Sequence, residues 1–84
     1  MAEVIVFFRG DIINAVGTKQ VIMQANTVRD LMRQIKSQYG KETYKNAKRM
    51  LIAVNGLAAI KQKGYSTPLN DGDIVKLFPI CGGG

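Results

Sequence analysis

Three glycines, Gly82-Gly83-Gly84, close the 84-residue chain, and their type and position suggest chemistry more directly than any other stretch. Glycines bury no side chain and carry the largest backbone entropy, so a run of them adds nothing to a core. What it can present is a carboxylate on a slender stem. Without Cβ atoms, such a stem threads a narrow passage and accepts unusual dihedrals close to a reacting atom. Six residues follow Phe78, and fully extended they reach roughly 20 Å. Pro79 has no amide hydrogen and a fixed φ, so the chain departs there from the strand that Phe78 ends. The alternative is an inert flexible end. Direct fusion of the tail to a hydrophobic strand, with no spacer, argues against that.

The rest of the chain carries little reactive equipment. It has no histidine and one cysteine, Cys81, which excludes an internal disulfide and argues against a nitrogen/sulfur metal site. The six acids are Glu3, Asp11, Asp30, Glu42, Asp71 and Asp73. Asp71 and Asp73 flank Gly72 and read as turn carboxylates rather than a general acid/base pair. An autonomous enzyme is not expected. Cys81 reads as an inert thiol; the sharper alternative is transient capture of an activated carboxylate or of sulfur.

A net charge of +6 permits an acidic partner or nucleic acid. The densest basic cluster is Lys41, Lys45, Lys48 and Arg49, with Tyr44 as its one interleaved aromatic, a weak nucleic-acid signature. No apolar run is long enough to span a membrane, and Val4 to Phe8 behind Glu3 is no signal sequence. A cytoplasmic protein is expected. The chain is 46% hydrophobic with a mean hydropathy near zero, which supports a single folded domain.

The elements that must position the tail can be read in order. Glu3 to Arg9 is a nearly continuous apolar run and reads as a central strand buried on both faces. Gly10 to Gly17 reads as a loop, and Thr18 to Gln24 as a hairpin partner of the first strand. Thr27 is a good N-cap, with Asp30 in the first turn. Val28, Leu31, Met32, Ile35 and Tyr39 recur at helical spacing up to Gly40, which predicts a helix over 28–39. Lys41 to Arg49 offers at most a short helical turn. Met50 to Val54 is a third strand, Asn55-Gly56 a strong hairpin turn, and Leu57 to Ile60 a short fourth strand. A basic loop and two turns then lead to Ile74–Phe78, the last strand. The expected architecture is α+β: a mixed sheet of about five strands with one main helix packed across it. It divides into residues 1–78 and an extended tail, 79–84.

Alternation in the last strand assigns faces. Ile74, Lys76 and Phe78 share one face, and Val75 and Leu77 the other. Lys76 is a poor core residue, so Val75 and Leu77 should meet the helix and Phe78 should lie on the outer face beside the tail. Phe8 and Ile60 join Phe78 as candidates for an exposed docking cluster; for Phe8 the competing assignment is the core.

Phe7-Phe8, Ala53-Val54-Asn55-Gly56, Pro68-Leu69-Asn70-Asp71-Gly72-Asp73-Ile74-Val75, Phe78-Pro79 and the final Gly83-Gly84 resemble the ubiquitin-like β-grasp sulfur carriers. The likeness is greatest to the branch of molybdopterin synthase small subunits. The thiamin-pathway carriers share the turn and the diglycine but usually lack the Phe-Pro step. Departures from the pattern are Ile80 and Cys81, where a proline and a small or β-branched residue are common, and Gly82, which lengthens the glycine run.

That resemblance implies a recyclable, non-catalytic co-substrate. The Gly84 carboxylate, with Gly83 before it, would be adenylated by a separate activating enzyme using ATP. Sulfur from a donor protein would then make a thiocarboxylate, spent in a large synthase subunit to build the molybdopterin dithiolene, in a heterotetramer of two small and two large subunits. Phe78, Pro79, Ile80, Cys81, Gly82, Phe8 and Ile60 would meet these partners. No cofactor would be bound. Other recipients stay open: thiamin thiazole, a tRNA base, or a protein lysine in ubiquitin-like conjugation. So does a different class, a β-grasp module binding RNA or protein through its basic surface.

Overall fold

The structure, a computed structural model, describes residues 1–80. Its strands are β1 (Glu3–Phe8), β2 (Gln20–Gln24), β3 (Leu51–Val54), β4 (Leu57–Ala58) and β5 (Ile74–Phe78). They form one mixed sheet in the order β2-β1-β5-β3-β4. β5 therefore lies at the centre, parallel to β1 and antiparallel to β3. The helices are α1 (Ile12–Val16), α2 (Val28–Tyr39) and α3 (Lys41–Lys48).

α2 is the main helix and forms for local reasons. The Thr27 hydroxyl accepts the Asp30 amide at 3.2 Å, and the Asp30 carboxylate accepts the Asn26 amide at 3.1 Å. Two donors at the helix start are thereby satisfied. Val28, Leu31, Met32 and Ile35 are buried on one face. They meet Val4, Val6 and Phe8 of β1, Val75 and Leu77 of β5, and Ile52 and Val54 of β3 in a single core.

The opposite sheet face is not covered by helices, and this corrects one expectation. β1 is central but not buried on both faces: Val4, Val6 and Phe8 are buried, while Ile5 and Phe7 are half-buried. Apolar character on both sides of β1 thus marks a one-sided core plus an apolar outer face.

Two stretches read as irregular are helical. Residues 12–16 form α1, and Ile12 is buried in the core. Five residues are too few to display helical periodicity, which hides the element in sequence. α3 runs eight residues, anchored by buried Thr43 and Ala47, a weak apolar stripe among lysines. The fourth strand is shorter than read: Ile60 falls in a 3₁₀ turn, Ala59–Lys61.

The Asn55-Gly56 turn ties the hairpin to β5. Both residues have positive φ, 51° and 85°, as a type I′ turn requires. The Asn55 side-chain carbonyl accepts the Ile74 amide at 2.9 Å, and its amide group donates to Asp73 Oδ1 at 3.0 Å. Asp71 and Asp73 are consumed the same way: Asp71 accepts the Glu3 amide at 2.9 Å and Asp73 the Asn70 amide at 2.8 Å. These are structural carboxylates. Asn55→Ala removes both side-chain bonds and places a Cβ residue without a compensating side chain at positive φ. It should cost about 1–2 kcal/mol in urea unfolding, with Asn55→Gly recovering the backbone part only.

Candidate functional site: the root of the tail

Because β5 is central, the chain leaves the sheet between two neighbours. Leu77 pairs with Phe8 of β1 and Phe78 with Leu51 of β3. The end of β1 and the start of β3 therefore flank Pro79. Gly10 lies directly against it: a Cβ at residue 10 would come 3.0 Å from Pro79 Cγ. Gly10 also has φ +82°, so only glycine suits both the conformation and the contact. Gly10→Ala should shift the amide resonance of Ile80 and destabilise the fold by about 1–2 kcal/mol. An unchanged Ile80 environment would show that Gly10 does not set the direction of the tail.

On the outer face, alternation in β5 is as read. Val75 and Leu77 are fully buried, Ile74 and Lys76 are exposed, and Phe78 is half-buried. The Arg9 guanidinium sits 5.5 Å from the centre of the Phe78 ring and the Lys76 ammonium 5.8 Å from that of Phe7. Each aromatic ring thus has a cation beside it. Register then assembles an apolar surface: Ile22 beside Ile5 beside Ile74, Phe7 beside Lys76, and Phe78 beside Leu51. Ile22 is 63% exposed, and Ile74 and Leu51 are each 39% exposed.

Phe8 does not belong to this surface. It is 2% exposed and packs edge-on against Tyr39, with ring centres 6.4 Å apart. Its place is taken by Phe7, which sequence reasoning missed. The available signal was parity: Glu3 and Arg9, the polar residues bracketing the strand, share the outward parity of Phe7.

Ile60 and Ile80 are brought together. Both line a shallow apolar recess with Met50, Leu51, Ile52 and Tyr65, and they are 82% and 62% exposed. Burial raises the Tyr65 phenol above the ordinary tyrosine value of 10.0, with the nearby Tyr44 phenol adding to the effect. Arg9 and Arg49 line a second hollow with Pro79, and Asp11 and Glu42 share it, so the tail root is flanked by charges of both signs. Cys81, Gly82, Gly83 and Gly84 lie outside the described residues. Among the described residues, no helix is long and apolar enough to cross a membrane.

Comparison with known proteins agrees with this architecture. The small archaeal modifier protein 1 of Methanosarcina acetivorans superposes with a TM-score of 0.87 at 24% identity, over 100% of this chain and 98% of that one. A chain of the BexX/CysO complex of Amycolatopsis orientalis gives 0.82 at 19% identity, covering 96% and 99%. Both show a shared fold, the ubiquitin-like β-grasp. A chain of the complex of subunits 1 and 2 of molybdopterin-converting factor from Helicobacter pylori gives 0.67 at 29% identity, covering 95% and 97%. No curated protein matches. Residues 6–84 match the ThiS family, a span that runs from β1 through the tail root to the terminal glycines, and the chain belongs to this family of ubiquitin-like sulfur carriers.

Proposed function

We propose that this chain is the non-catalytic small subunit of a molybdopterin synthase and carries sulfur as a thiocarboxylate on Gly84. The observation that carries the reading is the family match extending through Gly84, on a tail that leaves the central strand beside an apolar face. The likeness to a chain of the Helicobacter pylori molybdopterin-converting factor complex supports the choice of recipient and of a protein partner.

A carboxylate is a poor electrophile. Attack of its oxygen on the α-phosphate of ATP, in a separate activating enzyme, gives an acyl-adenylate and releases pyrophosphate. The terminal sulfur of a donor protein's persulfide then displaces AMP to give an acyl disulfide, and a second protein thiol attacks the donor's sulfur, forming a protein disulfide and releasing the thiocarboxylate. That group is ionised at neutral pH and nucleophilic. In the large subunit it attacks the cyclic pterin monophosphate precursor, whose catalytic side chains the partner supplies; two such transfers build the dithiolene. This chain contributes position: β5 aims the tail, Gly10 seats Pro79, and Phe7, Phe78 and Leu51 give the partner an apolar surface to grip. Cys81 takes no part. The chain itself binds no cofactor, and we place it in the cytoplasm with its activating enzyme and sulfur donor, in a heterotetramer with the large subunit.

Thiocarboxylated protein mixed with the large subunit and the cyclic precursor tests the recipient. The expected result is molybdopterin together with a carrier lighter by about 16 Da, sulfur having been replaced by oxygen. No molybdopterin, with the sulfur retained on the carrier, would overturn the molybdopterin assignment.

A further inference from the structure

The charge of this protein is segregated, and the sulfur-transfer reading does not use that fact. Residues 28–49, spanning α2 and α3, hold seven basic side chains against Asp30 and Glu42, a net of +5 out of +6 for the whole chain. All seven are exposed. Within this layer, Lys36 and Lys48 place their ammonium groups 5.2 Å and 4.9 Å from the centre of the Tyr44 ring. Two like charges are gathered there around one ring. Among the described residues the only ion pair is Lys45 with Glu42, at 3.9 Å, so no carboxylate among those residues neutralises Lys36 or Lys48.

Lys48 also lines the apolar recess formed with Leu51, Ile60, Tyr65 and Ile80. The recess measures about 260 Å³, below the roughly 300–1,000 Å³ typical of small-molecule sites. It suits a protruding side chain better than a cofactor. Fixed positive charge next to an apolar notch selects a ligand with the complementary pattern.

We propose that the Lys36–Tyr44–Lys48 cluster and the adjoining recess bind an acidic segment of a partner protein that carries one aliphatic anchor. The anchor enters between Ile60 and Ile80, and the flanking carboxylates meet Lys36 and Lys48. A nucleic acid fits less well. Single-stranded binding needs open aromatic faces for bases to stack upon, whereas the Tyr44 ring already has two ammonium groups beside it and Tyr39 is engaged with Phe8. The recess shares Ile80 with the tail root, but the proposed contact uses neither Gly83 nor Gly84, so the inference stands for a sulfur carrier and for a protein modifier alike.

The test is an NMR titration with a blocked peptide of eight glutamates interrupted by a central leucine. Parallel titrations use the same peptide with serine for leucine, and a ten-nucleotide oligouridylate. The leucine peptide should shift Lys48, Ile60, Tyr65 and Ile80 together. It should bind about tenfold more tightly than the serine peptide, the effect of burying one aliphatic side chain. The double variant Lys36→Glu/Lys48→Glu, at two exposed sites, should keep its circular dichroism and lose about tenfold or more in affinity. Protein lacking Gly83 and Gly84 should bind the peptide as the full chain does, which separates this inference from the sulfur-transfer reading. Absence of binding at millimolar peptide, equal binding of both peptides, an unaffected double variant, or tighter binding of oligouridylate would each overturn the proposal.

Discussion

Deleting Gly84 lowers the rate of thiocarboxylate formation by about a hundredfold or more while leaving the fold intact. The expected size follows from geometry. Loss of one extended residue withdraws the carboxylate by about 3.5 Å, and a displacement of about 1 Å already costs on the order of a hundredfold when a reacting group must be held in line. The fold should not respond, because the core is built from residues of the sheet and helices up to Leu77. Thermal unfolding of the shortened chain should therefore match that of the full chain. The assay is single-turnover formation of the acyl-adenylate and then of the thiocarboxylate, with activating enzyme and sulfur donor in excess. A shortened chain that is activated at the full rate would mean that the position of the carboxylate does not matter, and the sulfur-carrier assignment would lose its physical basis.

Phe8 and Phe78 should part company when each is replaced by alanine. Phe8 is fully enclosed between α2 and the sheet and touches Tyr39. Phe8→Ala should cost about 3–5 kcal/mol of stability, combining lost transfer energy with an incompletely collapsed cavity. That is a large share of the roughly 5–15 kcal/mol available to a domain of this kind. Phe78 is half-buried on the outer face beside the tail root, so Phe78→Ala should cost far less in unfolding. It should instead weaken association with the proposed partner protein by about 2 kcal/mol or more, as a central aromatic anchor does. Urea unfolding and a direct binding measurement on the same pair of variants check both halves. A stable Phe8→Ala protein with impaired partner binding would reverse the assignment made from burial.

How much of this was legible in sequence depends on how local its cause is. α2 was readable to the residue because its cap, its periodicity and its terminal glycine are all encoded within the helix itself. The same holds for β5, where one lysine in an apolar run is enough to assign both faces, and for the Asn55-Gly56 turn, which needs positive φ at two adjacent positions. α1 was hidden because five residues complete little more than one turn. α3 was hidden because Thr43 and Ala47 are small anchors among charged neighbours.

The features of the site that escaped are long-range. The contact of Gly10 with Pro79 joins opposite ends of the chain through the parallel pairing of β1 with β5. No local pattern announces it. Phe7 and Phe8 are adjacent and chemically equal, so their roles differ only through the parity of β1; a one-residue change of register exchanges the two faces. Ile60 lies in a 3₁₀ turn rather than on a strand, and that turn brings it beside Ile80. The clustering of Lys36 and Lys48 on Tyr44 likewise depends on how α2 packs on α3.

The central claim is that sulfur is carried on Gly84, and intact-mass measurement of the protein isolated from its native host tests it most directly. The account predicts a population heavier by about 16 Da, one oxygen exchanged for sulfur at a carboxylate, with the added mass located on the peptide ending in Gly84. A terminus of unmodified mass, still unmodified after incubation with ATP, the activating enzyme and a sulfur donor, would contradict it and leave the basic helical surface as the seat of function.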